Sequence, residues 1–112
     1  MVELKQEQAG TVTVLQVKGR VDSTSAPRLD ERLKAVLGPA EARVVLDLSD
    51  LDYISSAGFR VLLLALRLAE QNASRLMLCG LSGKVKQLFD LGGFLDLFAI
   101  TGTREEGIVS VG

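Results

Sequence analysis

The chain contains no histidine, no tryptophan and a single cysteine among its 112 residues. Without an imidazole, Ser-His and Cys-His nucleophilic pairs, His-ligated zinc and histidine acid–base chemistry are all excluded. One cysteine rules out an intrachain disulfide and any cysteine-rich metal site. Cys79 falls in the apolar run Leu76-Met77-Leu78-Cys79, the setting of a buried structural thiol and not of a reactive one. Aromatic residues make up only 4% of the chain, so the core must be aliphatic. Charge of one sign is also lacking: the net charge is −1 and the 13 Lys and Arg are scattered. A basic stripe interleaved with stacking aromatics is absent, which argues against a nucleic-acid partner. The longest apolar run, Val61 to Leu66, lies between Arg60 and Arg67 and is far too short to span a bilayer. Met1 to Glu7 lacks the basic-then-apolar pattern of a signal peptide. The expectation is a soluble, cytoplasmic protein with no membrane insertion.

What is present is a strongly apolar chain, 47% by residue, which suits one folded domain over residues 1–112. A chain of this length buries about two-thirds of its unfolded surface. Val2 to Glu7 alternates apolar and polar residues, Ala9-Gly10 turns, and Thr11 to Val17 continues apolar, which predicts an antiparallel hairpin. The second strand ends at Gly19-Arg20-Val21-Asp22, and Ser23-Thr24-Ser25-Ala26-Pro27 reads as a helix start, a hydroxyl cap followed by proline. Ala26, Leu29, Leu33, Val36 and Leu37 form one apolar stripe before Gly38-Pro39 stops the helix. Arg43 to Leu48 is a nearly continuous apolar run, as in a strand covered on both faces. Apolar Leu51 to Ile54 then gives way at Ser55-Ser56 to a long helix over 56–72. Further on come a strand at Arg75 to Cys79, a Ser82-capped helix ending at Gly92-Gly93, and a short strand at Leu97 to Ile100. Thr103-Arg104-Glu105-Glu106 is a capping box that opens a last helix to about Val109. The order ββαβαβαβα predicts an α/β fold: a mostly parallel sheet of about five strands, an antiparallel N-terminal hairpin and about four helices.

Ser55 and Ser56 stand where strand becomes helix. A side-chain oxygen there accepts a hydrogen bond from an otherwise unpaired helix N–H. The same place favours a phosphate, since free N–H groups and the helix dipole point toward it. From these residues alone, a cap, a modification site, or both are open. Helical geometry puts Ser56, Arg60, Leu63, Arg67, Glu70 and Gln71 on one stripe, with Ala57, Val61, Leu62, Leu64, Ala65, Leu68 and Ala69 away from it. Leu63 within the polar stripe suits a partner's cover, and Arg60 lies one turn beyond Ser56, in reach of a phosphate there. A hydrolase would need Ser56 activated by Lys84 or Lys86, and no spacing supports that pair. Gly80-Leu81-Ser82-Gly83-Lys84-Val85 has two residues between its glycines and no hydroxyl after the lysine, so it is not a phosphate-binding P-loop. No enzyme activity, catalytic residue, metal or cofactor is expected.

Four fragments in order carry a family resemblance across essentially the whole chain: Gly19 to Asp22, Val45 to Ile54, Ser55 to Leu63 and Val85 to Phe94. Together they resemble STAS domains of the anti-sigma factor antagonist type. That resemblance implies binding to a serine-kinase anti-sigma factor of the histidine-kinase-like ATPase fold, which releases the sigma factor it holds. It also implies inactivation by phosphorylation of a helix-start serine, here Ser56, and reversal by a PP2C-type phosphatase. In the family motif Asp-Ser-Ser/Thr-Gly, the aspartate is replaced here by Ser55 and the following hydroxyl by Ala57, while Gly58 is kept. Asp22 matches a family aspartate near the site. Asp22, Ser55, Gly58 and Arg60 are thus the neighbours of the switch. The partner surface is expected at Ser23, Thr24, Ser55, Ser56, Ala57, Phe59, Arg60, Leu63 and Arg67. Related STAS domains imply an alternative, a non-switching module such as the cytoplasmic subunit of an ABC lipid-transport complex or a stress-sensing assembly component. The expected oligomeric state is a monomer or weak dimer.

Overall fold

The N-terminal alternation folds as the hairpin it predicts. β1 (Val2–Ala9) pairs antiparallel with β2 (Val12–Val21) around Gly10, whose φ of 62° is the left-handed geometry that a tight turn needs. The computed structural model describes residues 2–112; Met1, the first residue of the expected domain, lies outside the described residues. After β2 come α1 (Ala26–Leu37), β3 (Arg43–Asp47), β4 (Leu51–Ile54), α2 (Ser56–Gln71) and β5 (Arg75–Cys79). The chain then forms α3 (Gly83–Leu91), β6 (Ala99–Thr101) and α4 (Arg104–Val111).

The sheet runs β1-β2-β3-β5-β6, and every pairing beyond the hairpin is parallel. Its sixth strand, β4, lies off this path. The ten residues of β2 pair with β3 through Thr13–Gln16 and with β4 through Gly19–Val21, across a register shift between Gly19 and Arg20. Two short strands thus share one long neighbour. None of the described helices is long and apolar enough to cross a membrane.

Strand alternation divides the core between two faces. Leu15, Val17, Leu46 and Leu78 pack in the larger cluster with Leu29 and Leu33 of α1, Leu62 of α2 and Phe89 of α3. Val12, Val14, Val45 and Cys79 point the other way and are closed over by Val111 of α4. Cys79 is fully buried, and burial together with the Asp47 carboxylate pushes its thiol up to about 12.

Four features differ from the sequence reading. The sheet has six strands where the expected order ββαβαβαβα has five, because Leu51–Ile54 pairs with the far end of β2 as a strand of its own. Ser25 occupies the N-cap of α1 but makes no capping bond; its Oγ donates to the Arg20 carbonyl at 2.9 Å. The loop is closed by Asp22, whose Oδ1 accepts the Thr24 and Ser25 N–H groups at 3.0 Å each, while the Ser25 hydroxyl is turned back on the loop and accepts the Asp22 N–H at 2.9 Å. The last strand is Ala99–Thr101, shifted toward α4, and α4 runs on to Val111 because that valine closes the second core cluster. Leu64, expected on the covered side of α2, is 46% exposed.

Candidate functional site

Val21 and Ile54 are partners in the β2–β4 ladder, and the Ser55 N–H donates to the Val21 carbonyl at 2.8 Å. The β2–α1 loop and the β4–α2 turn therefore leave the sheet side by side at the carboxyl edge of its parallel strands, where ligand and partner sites commonly form. Gly58 makes that junction possible. A Cβ on this buried residue would lie 2.6 Å from Ile54 Cγ1 and 2.8 Å from Val21 Cγ1, so only glycine lets α2 approach both strands.

The two serines are not equivalent. Ser55 is extended (φ −89°, ψ 175°) and half-buried, and its Oγ accepts the Gly58 N–H at 3.3 Å. It is the cap. Ser56 is the first residue of the helix and exposed, and its hydroxyl makes no hydrogen bond among the described residues. The first turn of α2 carries no acidic residue. One turn on, Arg60 is exposed and has no ion-pair partner among the described residues.

Beside this turn, Ser23 and Thr24 lie exposed in the β2–α1 loop. The Ser25 N–H bond, with further bonds from the Ser25 hydroxyl and the Thr24 N–H, holds the Asp22 carboxyl below its ordinary value despite some desolvation. Asp22 is thus an anion at neutral pH. Ala57 is half-buried, while Phe59 is buried and anchors the helix start. Its ring stacks on Phe94 at 4.4 Å and meets Phe89 edge-on at 4.9 Å. Leu63 lies half-buried beside it, and with Tyr53, Phe59, Leu88 and Phe94 lines a groove of about 370 Å³ that reaches Ser56 and Arg60. The Arg20 guanidinium covers the Tyr53 ring at 4.4 Å.

The structure brings together Asp22, Ser23, Thr24 and the run Ser55 to Arg60, with Leu63 one turn farther. Arg67 is exposed but lies two turns beyond Arg60, about 10.5 Å along the helix axis. The sequence reading left Tyr53, Leu88 and Phe94 out of the surface. Phe94 carried one usable signal: it directly follows Gly92-Gly93, so the chain turns back there toward α2.

A second polar centre sits at the far end of the same edge. Arg104 Nε and Nη2 hold Asp47 Oδ2 at 3.0 and 2.8 Å, and Nη1 holds Glu7 at 2.8 Å. Asp47 is 5% exposed. Burial alone raises its pKa, but the Ser49 N–H at 3.0 Å, the Ser49 hydroxyl at 2.7 Å and Arg104 together hold it below its ordinary value. Asp47 already spends both oxygens on internal partners, so this centre is structural.

With that geometry in view, the STAS domain family model matches residues 3–107. BtrV of Bordetella bronchiseptica, a candidate anti-sigma factor antagonist by name, is 38% identical over 104 residues, covering 93% of this chain and 90% of BtrV. The anti-sigma-B factor antagonist of Bacillus subtilis is 30% identical over 94 residues, 84% of this chain and 85% of that one. Among solved structures, an anti-sigma factor antagonist from Mycobacterium paratuberculosis superposes with a TM-score of 0.81 at 23% identity, over 99% of this chain and 94% of that chain.

Proposed function

The chain belongs to the STAS domain family, and from that premise we propose that it is an anti-sigma factor antagonist switched by phosphorylation at Ser56. In this reading it binds a serine-kinase anti-sigma factor through the α2 start and the β2–α1 loop, which frees the sigma factor. The kinase transfers the γ-phosphoryl group of ATP to Ser56 Oγ, leaving ADP, and the modified domain is released. A PP2C-type phosphatase hydrolyses the phosphoserine and restores binding. The domain is a substrate in this cycle and not itself an enzyme.

One observation carries the reading: Ser55 takes the capping role, which leaves Ser56 exposed with an unengaged hydroxyl. Phosphate adds a charge of about −1.5 to −2 and several acceptor oxygens. The domain itself can accommodate it, because the first turn of α2 holds no acid and Arg60 is free one turn away. Unfolding is therefore not the switch. A partner surface packed over Ser56 would face a dianion stripped of water, at a cost of roughly several kcal/mol. Ser55 in place of the family aspartate removes one carboxylate from beside that phosphate, and the Asp22 anion supplies the nearby negative charge instead.

The test is to incubate the purified protein with ATP and each serine kinase of its own genome, then locate phosphate by mass spectrometry. Phosphate on Ser56, lost in Ser56→Ala, is the expected result. Stable binding without phosphate would keep the antagonist role and discard its regulation. Neither binding nor phosphate with any kinase would overturn the proposal and favour a non-switching transport or stress-assembly subunit.

A further inference from the structure

The two outer edges of the sheet are unlike. β6 offers only Ala99–Thr101, whereas β1 runs for eight residues and pairs on one side alone, with β2. An unpaired edge of that length presents backbone N–H and C=O groups to any strand that fits them.

The ladder fixes which residues of β1 offer those groups. In an antiparallel pair, residues that exchange both hydrogen bonds alternate with residues whose N–H and C=O point away. Val2 faces Gly19, and that pair is of the second kind. The Gly19 N–H donates to the Asp50 carbonyl at 3.0 Å, and the Val2 carbonyl accepts Arg28 Nη1 at 3.1 Å. Glu3, Lys5, Glu7 and Ala9 therefore bond to β2, while Leu4, Gln6 and Gln8 turn their N–H and C=O outward.

Two copies of this edge laid antiparallel must match outward residues with outward residues. With Gln6 opposite Gln6 of the second copy, Leu4 lies opposite Gln8, and all three residues exchange both bonds. Lys5 then faces Glu7 of the second copy, and the two-fold axis repeats that pair. Both side chains are free to meet it, at 72% and 47% exposed. Neighbouring registers fail on charge. Leu4 opposite Gln6 sets Lys5 against Lys5 and Glu3 against Glu7, and Gln6 opposite Gln8 sets Glu7 against Glu7. Leu4 opposite Leu4 calls on the Val2 carbonyl that Arg28 occupies and leaves Gln8 without a partner.

We propose that β1 pairs antiparallel with β1 of a second copy about a two-fold axis at Gln6, which joins two sheets into one. The pairing does not rest on the function proposed above. β4, which leads into Ser56, lies on the other side of β2 from β1, so Ser56 stays uncovered.

The experiment is sedimentation equilibrium of the full chain between about 1 μM and about 1 mM, for wild type, Lys5→Glu and Leu91→Glu. Wild type should form a dimer as concentration rises. Lys5→Glu should weaken it at least about tenfold, since it sets an acid against Glu7 at both symmetric places, and should melt like wild type. Leu91→Glu, at a 79% exposed position on α3, should dimerise unchanged. Thiol oxidation reads the register. Gln6→Cys should cross-link at least about tenfold faster than Gln8→Cys, because only position 6 meets its own copy, at a Cα separation of about 5.5 Å. The native thiol, Cys79, is buried and does not compete. A wild-type chain that stays monomeric throughout would overturn the proposal and make Lys5 a guard of the edge. So would a dimer that Lys5→Glu weakens less than about twofold, or equal cross-linking at positions 6 and 8.

Discussion

Helices α4 and α2 begin on the same carboxyl edge of one sheet, and their first turns are furnished in opposite ways. At α4, Thr103 accepts the Glu106 N–H at 3.2 Å, Glu105 and Glu106 stand at the positive end of the helix, and Arg104 is locked between Asp47 and Glu7. At α2, among the described residues, the Ser55 cap is the only side-chain bond to the first turn, the turn holds no acid, and Ser56 and Arg60 face solvent without partners. Charges that satisfy one another inside the chain hold the fold. Charges and hydroxyls left unengaged on a rigid scaffold are available to something else. A phosphate placed at α4 would meet two acids already in place; at α2 it meets a first turn that carries no acid of its own.

Removing Arg104 should give the largest effect. Arg104→Ala strands the buried Asp47 carboxylate and should cost about 3 kcal/mol in urea unfolding, the lower end for breaking a buried pair because Arg104 is itself part-exposed. Arg60→Ala, the corresponding change at α2, should stay within about 0.5 kcal/mol. Equal losses at the two arginines would erase the distinction between the two edges.

Acid should sharpen it. The folded-state pKa of Asp47 is lowered from 3.8, so its contribution is complete above that value and is lost as pH falls below it through the folded pKa. Asp22 is lowered too and acts in the same direction. Asp47→Asn should flatten the fall in melting temperature below pH 4 relative to wild type, and Ser56→Ala should leave its shape unchanged. An acid limb that Asp47→Asn does not alter would place the sensitive carboxylate elsewhere.

The serines themselves come next. Ser55→Ala should cost about 1 kcal/mol through the lost cap, and Ser56→Ala less than about 0.5. The reverse order would exchange their roles.

How much of this was legible in the sequence depended on how local each feature is. The hairpin, the Ser82 and Thr103 caps and the start of the long helix rest on neighbours within a few residues, and sequence pattern carries such signals well. The place of β4 depends on distant β2, where Val21 pairs with Ile54, and on the way that strand divides its edge between two partners; neither leaves a periodic trace. A helical wheel gives directions but not how closely the neighbours pack, so Leu64 was put on the covered side although it borders an open groove between α1 and α2. Asp47 and Arg104 are 57 residues apart, and nothing in either segment announces the pair. At the candidate site, family resemblance singled out Ser56; only the geometry divided the labour between the two serines.

The smallest expected change in stability belongs to Ser56→Asp, and it tests the comparison most directly. An aspartate at the first position of α2 adds a negative charge where the helix dipole favours it and where no other acid stands. It should be neutral or stabilising by up to roughly 0.5 kcal/mol in thermal unfolding. The same substitution should abolish measurable binding to the anti-sigma factor if Ser56 is covered as proposed, since the charge would fall within that surface. A variant that keeps its fold while losing its partner separates switching from unfolding. A Ser56→Asp chain that melts well below wild type would instead make phosphorylation act through the fold, and the open turn at α2 would then be a structural weak point.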